Sequence, residues 1–113
     1  MSEIAEFTRH LGNYLPLSDL ALVERAFHFS DSAHRGQFRK SGEPYITHPL
    51  AVASILSQWR LDAHGLAAAL LHDVTEDTTV TKAEIELSFG KPVADMVDGV
   101  SKLDQIEFTT REE

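Results

Sequence analysis

The apolar segment at residues 65–71, Gly-Leu-Ala-Ala-Ala-Leu-Leu, constrains the fold of this chain more than any other stretch. A helix that has no polar face has to be buried on every side. Asp62 stands shortly before the segment and is a residue type that caps helix N-termini. We therefore predict that a helix from Asp62 to about Asp77 is the most buried element, at the centre of a helical domain.

Polar side chains follow this segment abruptly, as His72, Asp73, Glu76 and Asp77. On a continuous helix the pairs 72/76 and 73/77 lie one turn apart on the same face, and the two stripes are about 100° apart. Carboxylates at the C-terminal end of a helix gain nothing from its dipole, which is negative there. A divalent metal held by His72 and Asp73 would supply the missing positive charge. The alternative is a frayed helix end whose acids are solvated, and the abrupt change after an apolar turn favours the metal site.

Helical spacing recurs along the rest of the chain, whereas the alternation typical of strands is nearly absent. Helix starts are predicted at Ser2, at Ser18 or Asp19, at Thr47, at Asp62, in the capping box of Thr81 and Glu84, and at Pro92. The third helix should bury Val52, Ile55, Leu56 and Trp59, and the last should bury Val93, Met96, Val97 and Val100. Gly90 closes the helix before it, while Gly99 and Ser101 weaken the end of the last one. These signals predict an all-α fold in a single domain over residues 1–113.

Composition narrows the class of protein further. The chain contains no cysteine, which fits a reducing compartment and excludes thiolate zinc sites. The net charge of −8 argues against binding to DNA through bulk charge. No apolar run is long enough to cross a membrane, and the N-terminus lacks a signal pattern, so we predict a cytoplasmic protein without a membrane partner. A local basic cluster at Arg35, Arg39 and Lys40 stands out against the acidic average.

His48 is the second candidate metal ligand. It opens the third helix beside Pro49, and that helix should pack against the central one because short connections join neighbouring helices. His48, His72 and Asp73 would then form a mixed nitrogen and oxygen site suited to Mn²⁺, Fe²⁺ or Zn²⁺. By spacing alone, His48 is equally compatible with a surface residue.

Four blocks of sequence, at residues 39–49, 71–78, 89–91 and 97–103, resemble one branch of the HD metal-dependent phosphohydrolase superfamily. That branch is the N-terminal hydrolase domain of the bifunctional RelA/SpoT proteins, which turn over the alarmone (p)ppGpp. The likeness extends from about Leu20 to the end of the chain. It implies an HD-type helical bundle and hydrolysis of the 3′-pyrophosphate of guanosine 3′,5′-bis(diphosphate) in the stringent response.

The resemblance also assigns roles to individual residues. The matching positions make His48, His72 and Asp73 ligands of a single Mn²⁺, and Glu76 and Asp77 the catalytic carboxylates that act on the attacking water. Arg39, Lys40 and Ser41 would form part of the nucleotide pocket near the guanine base. Lys102 belongs to the last block without an assigned role, and His10, His28, His34 and His64 are predicted to be surface or helix-boundary residues.

Two departures from the family pattern matter. Thr75 stands where the family has an aliphatic residue, and the fourth metal ligand of the family is an aspartate farther downstream. A capping-box pattern at residues 110–113 also predicts a further helix, so we expect an N-terminal part of a longer protein with a bundle incomplete at its C-terminus. Alone, residues 1–113 should have an empty or weakly filled metal site and hydrolyse the substrate poorly. They should also either self-associate through apolar surface exposed on the central helix or be marginally stable. The alternatives are another HD-type nucleotide phosphohydrolase and a non-catalytic helical module for nucleotide binding or dimerisation.

Overall fold

The computed structural model describes residues 3–107, with side chains from residue 4 to residue 103. Helices in this range are α1 (Glu3–Leu11), α2 (Leu17–Ala33), α3 (Thr47–Ser57), α4 (Ala63–Leu71), α5 (Val74–Asp77), α6 (Lys82–Phe89) and α7 (Lys91–Glu107). Within the described residues there is no strand, only one isolated bridge between Phe38 and Pro44. The predicted all-α class is confirmed. No helix of the described part is long and apolar enough to cross a membrane.

Helix α4 lies at the centre of the bundle, where α2, α3 and α7 pack around it. Every side chain from residue 66 to residue 71 is 0% exposed, as the absence of a polar face predicted. The neighbouring helices already cover residues 66–71 of α4 on all sides. The expectation that this helix exposes apolar surface for self-association is therefore wrong.

Several helix ends form as their capping residues predicted. Asp62 Oδ1 accepts a hydrogen bond from the backbone N–H of Gly65 at 2.9 Å and starts α4. Thr81 and Glu84 form the reciprocal capping box of α6. Gly90 ends α6 with a φ of 95°, a backbone conformation that favours glycine.

Other boundaries differ from the prediction. Helix α2 begins at Leu17 after Pro16, because the fixed φ of proline already suits a helix entry, and neither Ser18 nor Asp19 caps it. Thr47 lies inside α3 rather than before it, and its hydroxyl donates to the carbonyl of Pro44 at 2.8 Å.

Three further predictions fail, and one falls outside the described residues. Trp59 follows the end of α3 and is 68% exposed, because the chain turns at residues 58–60 and leaves the helical register. Helix α7 continues past Gly99 and Ser101 to Glu107, and Met96 is exposed on it. The helix predicted to start at residues 110–113 lies outside the described residues.

Candidate metal centre

The predicted continuous helix to Asp77 is interrupted by a turn at His72 and Asp73, between α4 and α5. The backbone N–H of His72 bonds to the carbonyl of Ala69 at 3.5 Å, three residues back instead of four. Regular helical bonding resumes where the N–H of Asp77 bonds to the carbonyl of Asp73 at 2.9 Å. Adjacent residues of a regular helix point about 100° apart. At this turn, by contrast, the ligand atoms of His72 and Asp73 lie in one cluster of candidate metal ligands.

The cluster consists of His48, His72 and Asp73, whose candidate ligand atoms all lie within 4.8 Å of one another. Asp73 Oδ2 lies 3.2 Å from His72 Nε2 and 3.7 Å from His48 Nε2. All three residues are buried. His48 comes from the first turn of α3, so the packing of α3 against α4 assembles the set.

The hydrogen bonding of His72 indicates which of its nitrogens faces the cluster as a ligand. Nδ1 lies 2.5 Å from the carbonyl oxygen of Ala69, which can only accept, so Nδ1 carries the proton. In the neutral ring Nε2 then presents a lone pair toward the lone pairs of Asp73 Oδ2. Two lone pairs that face each other in a buried place repel unless a proton or a cation lies between them. A divalent metal fits this donor set, and the carbonyl contact orients the ring as is usual for metal-binding histidines.

Tyr45 forms a second layer behind the cluster. Its hydroxyl donates to Asp73 Oδ2 at 2.9 Å. Burial, and then the negative charges of Asp73 and Asp77, raise the pKa of Tyr45 well above its ordinary value, so the hydroxyl keeps its proton and remains a donor. The ring stacks on His34 with the centroids 4.5 Å apart.

His34 corrects one sequence prediction. It caps the C-terminus of α2, so the helix-boundary assignment is confirmed, but it is 2% exposed and is not a surface residue. Its position four residues after buried Ser30 on one side of α2 was the only available signal. His10, His28 and His64 are exposed, as predicted.

Helix α7 holds the turn from the other side. The hydroxyl of Ser101 donates to the backbone carbonyl of His72 at 2.7 Å. Sequence reasoning placed Ser101 in the block at residues 97–103 and expected it to weaken a helix, but gave it no role at the site. The contact ties one member of the block at residues 97–103 to the candidate centre.

Glu76 and Asp77 lie on α5 beside the buried cluster, and both are exposed. Glu76 lines a cleft of about 290 Å³ with Asp98, Ser101 and Lys102. Water and a substrate can therefore reach these carboxylates, whereas the three candidate ligands are enclosed.

Arg39, Lys40 and Ser41 belong to a hairpin-like loop over residues 37–45. The backbone N–H of Arg39 bonds to the carbonyl of Glu43 at 2.8 Å, and that of Tyr45 bonds to the carbonyl of Gln37 at 2.9 Å. Lys40 and Ser41 are exposed, and Arg39 is half-buried. Both ends of the loop contact the site, because Gln37 Nε2 donates to the carbonyl of Asp77 at 3.1 Å and Tyr45 bonds to Asp73.

Comparison with known proteins identifies the relatives of this chain. The family model described as HD domain matches residues 26–113. The bifunctional (p)ppGpp synthase/hydrolase SpoT of Escherichia coli is 52% identical over 100 residues, 88% of this chain and 14% of the relative. A guanosine-3′,5′-bis(diphosphate) 3′-pyrophosphohydrolase of Haemophilus influenzae is 62% identical over 81 residues, 72% of this chain and 12% of the relative. A probable GTP pyrophosphokinase of Mycobacterium leprae is 50% identical over 93 residues, 82% of this chain and 12% of the relative. The chain thus spans only about an eighth of the length of these relatives.

Proposed function

This chain belongs to the HD domain family, and we propose on that premise that it is part of a metal-dependent (p)ppGpp 3′-pyrophosphohydrolase. The observation that carries the proposal is the buried cluster of His48, His72 and Asp73 beside two exposed carboxylates. Relatives at 52% and 62% identity are named for hydrolysis of this alarmone, which supports the substrate. We take residues 1–113 as the N-terminal part of the hydrolase domain.

We propose Mn²⁺ as the metal, held by His48, His72 and Asp73. Two imidazole nitrogens and a carboxylate oxygen suit a borderline divalent ion, and Mn²⁺ is the choice that the family resemblance implies. When bound, such an ion lowers the pKa of a water molecule and polarises a phosphoryl oxygen.

Glu76 and Asp77 are the proposed catalytic residues. A water oxygen forms a bond to the phosphorus attached to the ribose O3′, and a carboxylate accepts the proton that this water loses. The bond between phosphorus and O3′ breaks, O3′ takes a proton, and the products are GDP or GTP and pyrophosphate. The exposure of both carboxylates supports this role, because the reacting phosphoryl group has to approach them from solvent.

Arg39, Lys40 and Ser41 are the proposed contacts to the nucleotide. The planar guanidinium of Arg39 can stack on the guanine base, which the ammonium of lysine does poorly. Lys40 and Ser41 present a positive charge and a hydroxyl on the exposed part of the loop.

The roles of these residues are tested in the complete hydrolase domain by separating metal binding from turnover. His72→Ala and Asp73→Ala should abolish Mn²⁺ binding and hydrolysis together, because each removes a ligand. Glu76→Gln and Asp77→Asn should keep Mn²⁺ affinity and lower the rate by roughly a hundredfold or more. Calorimetric titration with Mn²⁺ and an assay for released pyrophosphate measure the two properties.

His64→Ala is the matched control, because His64 is an exposed histidine near the start of α4, the helix that leads into the turn of His72 and Asp73. It should leave both properties unchanged. Loss of Mn²⁺ binding in a folded Glu76→Gln protein would contradict the division between ligands and catalytic carboxylates.

We also propose a cytoplasmic location, because a chain without cysteine suits a reducing compartment. Self-association of residues 1–113 stays a prediction that the molecular mass in solution checks. Since α4 is covered, such contacts would have to use apolar side chains elsewhere, among which Leu17, Trp59 and Leu87 are the most exposed.

A further inference from the structure

Tyr45 lies where the basic loop of residues 37–45 meets the candidate metal ligands. We infer that Tyr45 is a positioning residue that fixes the orientation of Asp73 and couples metal binding to nucleotide binding on the loop. The inference rests on the proposed function, since it assigns Tyr45 a part in the same site.

Tyr45 contacts both the candidate metal ligands and the loop of residues 37–45. Its hydroxyl bonds to Asp73 Oδ2 at 2.9 Å, the oxygen that also faces both histidines of the cluster. Its backbone N–H closes the loop by bonding to the carbonyl of Gln37 at 2.9 Å. A movement of the loop end would therefore displace the donor that orients Asp73. Hydrogen bonds of this outer kind orient metal ligands and tune their affinity for the ion.

The ring of Tyr45 is held from two sides. His34 stacks on it at 4.5 Å with an interplanar angle of 29°, and His48 meets it at 6.1 Å with an angle of 66°. His34 is buried, and its Nε2 has no hydrogen-bond partner among the described residues. A buried polar atom without a partner costs stability. The side chain of His34 contacts the loop through its ring stacking on Tyr45 and through the approach of its Nδ1 to Gln37 Oε1 at 3.4 Å.

Gln37 provides a second connection between the loop and the site. Its side-chain N–H donates to the backbone carbonyl of Asp77 at 3.1 Å. The loop is therefore attached at one end to a proposed ligand and at the other to the backbone of a proposed catalytic residue. A nucleotide that orders the loop should stabilise the orientation of Asp73, and by reciprocity a metal on Asp73 should strengthen nucleotide binding.

The test removes only the hydroxyl. Tyr45→Phe keeps the ring and its stacking on His34, and Tyr14→Phe is the matched control. Tyr14 is the other tyrosine of the chain, and its hydroxyl also makes a 2.9 Å bond, to the carbonyl of Leu61 away from the cluster. Mn²⁺ affinity is measured by calorimetry on the metal-free complete hydrolase domain, with and without GDP. GDP carries the guanine base and 5′-diphosphate of the proposed substrate and has no 3′ group to cleave.

In the wild type, GDP should tighten Mn²⁺ binding. Tyr45→Phe should weaken Mn²⁺ binding about tenfold and abolish the effect of GDP, while Tyr14→Phe should retain both within about twofold, its role being purely structural. The melting temperature of the metal-free protein should fall similarly in the two variants, because each loses one hydroxyl hydrogen bond.

A second variant keeps the inference testable if Tyr45→Phe fails to fold. Gln37→Leu removes the other connection and should reduce the effect of GDP while leaving Mn²⁺ affinity within about twofold, since Gln37 contacts no proposed ligand. A loss of Mn²⁺ affinity in Gln37→Leu or Tyr14→Phe as large as in Tyr45→Phe would overturn the role of the Tyr45 hydroxyl. The inference would also be overturned if Tyr45→Phe kept the Mn²⁺ affinity of the wild type, or if GDP did not change the Mn²⁺ affinity of the wild type. A wild type that binds no Mn²⁺ would overturn the proposed function itself, which is a different result.

Discussion

Ser101→Ala should loosen the turn that carries two of the three candidate ligands. The Ser101 hydroxyl donates to the carbonyl of His72 at 2.7 Å, and His72 is 0% exposed. The carbonyl would therefore lose a partner in a place that water does not reach. Removing a hydrogen bond from a buried acceptor costs about 1 to 3 kcal/mol. For a domain of this length, that cost corresponds to a fall in melting temperature of roughly 4 to 12 °C.

Thermal unfolding followed by circular dichroism measures the change, and calorimetry measures Mn²⁺ affinity on the same samples. Ser101→Thr keeps a hydroxyl and should recover most of the loss, whereas Ser88→Ala, on an exposed position of α6, should have little effect. If Ser101→Ala melts within about 1 °C of the wild type, below the range expected for a buried carbonyl, then α7 does not hold the turn.

The remaining predictions concern a helix cap, the core and an ion pair. Asp62→Ala should cost about 1 kcal/mol because it removes the α4 cap, while Ser18→Ala should cost little because Ser18 caps nothing, and denaturant titration compares the two. Leu70→Ala should cost about 2 to 5 kcal/mol in the same titration, since Leu70 is 0% exposed in the central helix. The hydrogen bond from Lys91 lowers the pKa of Asp95 below its ordinary 3.8, so this carboxylate contributes stability above that pH and loses it as the pH falls through the lowered pKa. Asp95→Asn should therefore melt below the wild type near neutral pH and converge with it in acid, and a constant difference would contradict the assignment.

The centre of the fold could be predicted because its signals are local. Seven apolar residues in a row indicate a buried element, their alanines and leucines favour a helix, and the side chain of Asp62 caps a backbone group three residues away. The packing of α3 and α7 around α4 follows from the same rule, since a helix without a polar face has to be covered on all sides.

The site depends on contacts between residues far apart in the chain. Tyr45 bonds to Asp73 across 28 positions, and Ser101 bonds to His72 across 29, and neither pair leaves a periodic pattern in the sequence. The sequence also did not predict the turn at His72 and Asp73, because the backbone there departs little from a helix. Both residues keep right-handed helical dihedral angles, so only the hydrogen bonds to Ala69 show that the helix has ended.

Burial divides the candidate site into two parts with different chemical demands. His48, His72 and Asp73 are enclosed, and enclosure strengthens the attraction of a carboxylate and imidazoles for a cation because little water competes. Glu76 and Asp77 are exposed one turn farther along, where water surrounds them until a substrate arrives. Reversing the arrangement would bury two carboxylates without partners, at a large desolvation cost. The abrupt change from the apolar run to a turn and then a short helix encloses His72 and Asp73 and exposes Glu76 and Asp77, as their proposed roles require.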